Sequence, residues 1–319
     1  MRKIGHGTYL YEMRRRIRKT YSQKGLRRPN KISPGEDLRA TVKRHRKVPQ
    51  AIPDDIQLWL AFFDEAVAFW LVVWATYRVK IKGPTDKRLV CLMAIAGRIF
   101  QDMICVRELV VGGFFVQSNV VTRSLVEAID VMHLLNSRPD LAEKFRGITE
   151  NVDSSRFWHE YCARDKIGKL VKARWLWFFE GDDKAASAFY GLRAGYLDLV
   201  GMSAHPSFGA CFAAFMDSTQ EDVDSIAKNA MGSVSHLSKF TLHLIMTRIF
   251  EYGFLWVGPE MSLYGADDMS GSTPAFQEDI SKGLSVMLSI MMATEKQATG
   301  GPDAFYPKFR TFWPRESFD

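Results

Sequence analysis

The chain has little of what defines several protein classes. Its four cysteines, Cys91, Cys105, Cys162 and Cys211, include no C-x-x-C pair. A disulfide scaffold and a zinc ribbon are thereby excluded, and a reducing, cytoplasmic setting is expected. G-x-x-x-x-G-K-[ST], G-x-G-x-x-G and G-x-S-x-G are all absent. The common phosphate loop, the dinucleotide fold and the hydrolase elbow lose their sequence support with them. No segment alternates for long with period two, so no strand is predicted. No repeat of 20–50 residues is present. The longest apolar run, Ala66 to Thr76, is eleven residues, against about 20 for a membrane span.

What the chain does have is an uneven distribution of charge. Residues 1–50 hold 16 Lys+Arg and 3 Asp+Glu, a balance of +13, whereas the other 269 residues hold 27 and 33, a balance of −6. The sequence therefore reads as a basic arm, 1–52, on a mildly acidic body. Arg14, Arg15, Arg16, Arg18 and Lys19 form one cationic run, and Lys43, Arg44, Arg46 and Lys47 a second. Pro29, Pro34, Pro49 and Pro53 punctuate the later part. With few apolar residues, the arm buries too little surface to offset its ordering entropy. Tyr9, Met13, Ile17 and Tyr21 recur at helical spacing, which would line one face if the arm folded on a partner. No apolar segment follows the basic start, so a secretory signal is not expected; an Arg-rich organellar presequence would share the pattern.

From Pro53 to about residue 300 the periodicity is helical. Helices are predicted over 56–78, 85–111, 114–136, 141–146, 153–179, 184–203, 221–256 and 274–298. Their boundaries are Gly83-Pro84, Gly112-Gly113, Pro139, Gly181-Asp182-Asp183, His205-Pro206 and Gly258-Pro259. Residues 208–218 read as a loop, extended in part. Residues 301–319 carry aromatics that favour packing back on the bundle. The fold class is all-α, an irregular multi-helix bundle with the basic arm outside it.

Three groups of residues are candidates for chemistry. On the helix 114–136, Asn119, Arg123, Glu127 and Asp130 form one polar stripe, matched on the preceding helix by Arg98, Gln101, Asp102, Cys105 and Glu108. If the stripes face each other inside the bundle, Arg98 and Arg123 pair with these carboxylates and lie low in water. Asp198, Ser203 and His205 lie close in sequence, but that alone does not make a triad. His205 also suits a helix C-terminus. His236, Lys239 and His243 share a face of the helix 221–256; their spacing argues against a metal, and a partly exposed face is expected. Trp175, Trp177, Phe178 and Phe179 read as core. No metal or cofactor is expected.

Arg123-Ser-Leu-Val-Glu127, followed by a helix with Tyr196 and ending at His205, resembles a group of bacterial all-helical proteins. Those proteins carry an R-x-x-x-E helix and a later Y-x-x-x-S-x-x-x-H motif. Gly201 stands where the motif has Ser. The resemblance covers roughly residues 55–255 and is distantly similar to the HEPN bundles, many of which cleave RNA. HEPN nucleases carry R-x(4–6)-H at a helix end. The body has no such spacing, and the one fit, Arg39 to His45, lies in the arm.

The expected function is a nucleic-acid-associated binding or interaction module. Its arm would bind RNA or DNA through Arg14, Arg15, Arg16, Arg18, Lys19, Lys43, Arg44, Arg46 and Lys47. Two alternatives stand beside it. One is a metal-independent, RNA-cleaving enzyme in which Arg123 holds a phosphate, Glu127 completes the site and His205 acts as acid or base. The other is a protein of anionic membrane surfaces.

Overall fold

A computed structural model describes residues 52–81, 86–148, 151–163, 165–194, 234–257 except 236, and 282–287 except 285. The chain divides between Pro49 and Gln50 into two units, and every described residue lies in the second. The described residues are 87% helical and contain no strand, so the fold is all-α. The basic arm, His205, the segment 208–218 and the tail 301–319 lie outside the described residues.

The helices are α1 (Asp54–Lys80), α2 (Lys87–Val111), α3 (Phe115–Ser137), α4 (Leu141–Arg146), α5 (Asn151–Phe157), α6 (Lys166–Phe178), α7 (Asp183–Ala194) and α8 (Ser238–Tyr252). Two π-helical turns, Trp158–Cys162 and Gly253–Val257, extend α5 and α8. The cap of α2 falls one residue beyond the expected Thr85: Asp86 is the residue whose side chain accepts from the Leu89 N–H, at 3.0 Å. Gly113 takes φ 75°, the left-handed conformation that lets the chain reverse between α2 and α3.

Four helices make the central body. α1 packs on α2, α2 on α3, and α8 on both α1 and α3. Contacts fix their directions. Asp64 meets Arg107 and Trp70 Nε1 donates to Ala96 O, so α1 and α2 are antiparallel. Trp59 meets His243, and Trp70 and Tyr77 meet Tyr252, so α1 and α8 run the same way. Ile56, Phe63, Trp70, Leu92, Ile99, Met103, Leu125, Ile129, Ile245 and Phe250 fill the space between them. Burial of each such side chain stabilises by about 1.5–3 kcal/mol. The Phe69 ring sits where a Cβ on Gly253 would be 2.7 Å away and one on Gly283 2.5 Å, so both positions require glycine for this close approach.

Two predicted helices are shorter than expected. The helix over 153–179 is broken at 163–165, where Ala163 is extended and Asp165 takes φ 61°. Lys166 Nζ stabilises the break by donating to the carbonyls of His159 and Glu160 at 3.3 and 2.5 Å. Within the helix expected over 221–256, Val234 and Ser235 are not helical: Ser235 Oγ accepts from the Leu237 N–H at 3.1 Å, and α8 begins at Ser238.

α1 and α2 also meet the length and composition of a membrane span over Ile56–Arg78 and Lys87–Val111, although the longest uninterrupted apolar run is short. In the bundle, somewhat under half of each stretch is buried.

Candidate functional site

The expected charge stripe does not form as one unit. Arg123 Nε and Glu127 Oε1 pair at 3.1 Å, but their side chains are 42% and 41% exposed. The pair is half-buried at the edge of the bundle rather than sealed in core, contrary to the expectation from its apolar neighbours. Those neighbours diverge: Leu125 and Val126 turn inward, whereas Val120 is 47% exposed. Arg98 pairs within its own helix, with Asp102 at 3.6 Å, and reaches across only to Ser124 Oγ. Glu108 meets Arg107. Arg107 itself makes a bidentate fork to Asp64, at 2.6 and 3.0 Å, tying α1 to α2. Arg123 and Glu127 are thus brought together, and His205 lies outside the described residues.

Asn119 leaves the stripe altogether. It is fully buried and accepts from Thr241 Oγ1 at 2.5 Å, across the contact between α3 and α8. That bond is one end of a seam between the two helices that is polar at both ends and apolar between them. Val126 and Leu244 pack at its middle. At its far end His133, Asn136, Arg248, Glu251 and Tyr252 are all buried. Trp256 Nε1 donates to His133 Nδ1 at 2.7 Å. An accepting Nδ1 carries no proton, so His133 is the neutral tautomer with its proton on Nε2. That nitrogen lies 3.4 Å from Glu251 Oε1. Arg248 Nη1 is 3.6 Å from the same oxygen, and Trp175 Nε1 donates to Glu251 Oε2 at 3.4 Å. Asn136 Nδ2 donates to the Tyr252 hydroxyl at 2.7 Å, and that hydroxyl also shares a hydrogen with Tyr77.

This end of the seam gathers an acid, an imidazole and a guanidinium, with both nitrogens 3.4–3.6 Å from one carboxylate oxygen. It has the residue types of a proton relay, but His133 has no exposed surface and Glu251 only 3%. Buried charges of this kind must sit beside each other once the helices pack, so they penalise any other register of α3 against α8. The sequence carries a signal for them. His133 and Asn136 sit three apart within an apolar stretch, and Arg248 and Glu251 do so between Leu242 and Val257.

The other candidates also change place. His243 is buried against Trp59, with ring centroids 5.6 Å apart, instead of lying on a partly exposed face. Burial drives its pKa down to about 4. His236 lies outside the described residues. Burial pushes the Cys162 thiol up to about 12, with Asp130 and Glu127 acting in different strengths on the same side and Lys166 opposing, so it is not a reactive thiolate. Among the described residues no three His, Cys, Asp or Glu side chains group as metal ligands would. Trp175 is core, stacked on Phe179 and Phe254 with centroids 5.7 Å away in each case, but Trp177 is 53% exposed.

Comparison with protein-family models, with curated proteins and with solved structures gave no match.

Proposed function

We propose that the protein is a helical interaction module that associates with nucleic acid through its basic arm. One observation carries the reading: 16 cations against 3 carboxylates in residues 1–50, beside a body of balance −6. Phosphates attract such a segment whatever their sequence, and each neutralised phosphate releases counterions. Tyr9, Tyr11 and Tyr21, interleaved with the cations, add surfaces on which bases stack. In this reading the body supplies a rigid platform, and the α3–α8 seam serves its register rather than chemistry. An RNA-cleaving activity is the second reading. It is favoured by the water-reachable Arg123–Glu127 pair, which leaves the guanidinium accessible to a phosphate.

The test compares the full chain with one starting at Ala51 on single-stranded RNA, duplex DNA and anionic vesicles. Tight, salt-sensitive binding of nucleic acid by the full chain alone is the expected result. Equal binding by both chains refutes an arm-driven mechanism. Preference for vesicles assigns the arm to a membrane surface. Cleavage of the RNA, lost in Arg123→Ala, favours the second reading.

A further inference from the structure

Among the described residues, Trp177 is the most exposed of the large aromatics. It projects from α6, whose inner face is sealed by Ile167, Gly168, Val171 and Trp175. Yet more than half of Trp177 is exposed. Its ring is nonetheless held in place. The Arg174 guanidinium lies 3.9 Å from the Trp177 centroid and 4.5 Å from that of Trp256. The same guanidinium donates to the Leu255 carbonyl at 3.4 Å through Nε and 3.3 Å through Nη2. Trp177 is thus the outer plate of a Trp–Arg–Trp stack anchored on the π-helical turn after α8. One face of its indole is covered by the cation, and more than half of the residue remains in solvent.

The surroundings select by charge. Lys166–Phe178 contains four cations and no carboxylate, within a body that is acidic on balance. Lys172 is engaged by Asp183 at 3.6 Å. Lys166 and Lys169 are exposed, Lys166 with its ammonium on the carbonyls of His159 and Glu160, where it keeps its full charge. By helical geometry they share the outward face with Trp177, about 16 and 12 Å from it along the axis. Asp165 and Glu180 flank this face at its two ends. A cationic ligand is disfavoured here, because Arg174 already takes one face of the indole and the lysines repel a second cation. A planar group carrying negative charge suits both features. The spacing spreads the positive charge along a line rather than around a single phosphate.

We infer that this face of α6 is a second nucleic-acid contact, in which a base of a single strand stacks on the other face of Trp177 and the sugar–phosphate chain runs past Lys169 toward Lys166. The inference rests on the nucleic-acid reading above and adds to it a site on the body and a preference for single strands. Duplex bases are already stacked on each other and offer no free face, so the site favours single strands.

The test measures binding of a single-stranded oligouridine and of an RNA duplex of equal length to the full chain by fluorescence anisotropy over a salt series, and of anionic vesicles by co-sedimentation. Trp177→Ala should weaken oligouridine binding at least about fivefold, with the salt slope unchanged, because a lost stack releases no counterions. Duplex affinity should stay the same. Trp177→Phe should retain most of the affinity, which separates loss of stacking from loss of folding. Lys169→Glu should reduce both affinity and slope. If Trp177→Ala binds oligouridine as the wild type does while Arg14, Arg15 and Arg16 replaced by Gln abolish binding, the α6 site is refuted and the arm reading survives. If the wild type binds neither probe, both fail. If Trp177→Ala loses only binding to anionic vesicles, the face meets lipid and the inference is overturned.

Discussion

Replacing Glu251 by Gln tests the polar seam where it is most demanding. The carboxylate lies 3.6 Å from Arg248 Nη1 and 3.4 Å from both His133 Nε2 and Trp175 Nε1, and all four side chains are buried. Gln keeps the shape and one acceptor oxygen but removes the charge. At 3.6 Å, with an effective dielectric of about 20, the Arg248–Glu251 attraction is about 4–5 kcal/mol. Breaking a buried pair by neutralising one partner costs about 3–5 kcal/mol, because the other charge loses its counter-charge without regaining water. For a body of this size that is about 10 °C in Tm. Chemical denaturation gives the free energy and differential scanning calorimetry the Tm. The double variant Arg248→Met/Glu251→Gln should recover part of the loss, since the guanidinium no longer needs a partner. A loss below about 1 kcal/mol in the single variant, or a double variant worse than the sum of the singles, would refute the claim that the seam is a matched charge pair.

Two further outcomes follow from the same geometry. Arg123→Ala should cost no more than about 0.5 kcal/mol in denaturant unfolding, because a half-exposed i, i+4 pair contributes only that much; a cost of several kcal/mol would place the pair in the core. His243 has a folded pKa of about 4, below its ordinary 6.5, so the unfolded chain takes up a proton between those values that the folded chain refuses. Stability should therefore fall as pH drops from 6.5 to 4, by about 3 kcal/mol in all, and His243→Phe should remove that part of the acid loss. An identical pH dependence in the two proteins would count against the burial argument.

Helical periodicity and glycine or proline punctuation made most of the body legible in sequence. Gly112-Gly113 and Pro139 bracket α3, and the acidic start at Asp54 opens α1. The break at 163–165 was not legible, because it has no proline or glycine. Its freed carbonyls are taken by Lys166 and its backbone turn by Asp165 in a left-handed conformation, both visible only in three dimensions. The site was less legible than the fold. A polar residue on an apolar helix reads alike whether it faces water or a partner. Asn119 and Arg123 differ by only about 40° around α3, yet one bonds to Thr241 in the core and the other sits half-buried at the edge of the bundle. Trp177 misled in the opposite sense: tryptophan defaults to core, and its exposure depends on Arg174 and Trp256 holding it as an outer plate.

The salt dependence of RNA binding by the full chain bears most directly on the proposed function. Arg14, Arg15, Arg16, Arg18 and Lys19 form the densest run of cations in the arm. For single strands each phosphate contact contributes about 0.7 to the slope of log K against log [salt]. Replacing these five by Gln should reduce the slope by about 3.5 and the affinity steeply at low salt. An unchanged slope would mean that the arm does not carry the phosphate contacts and would contradict the account.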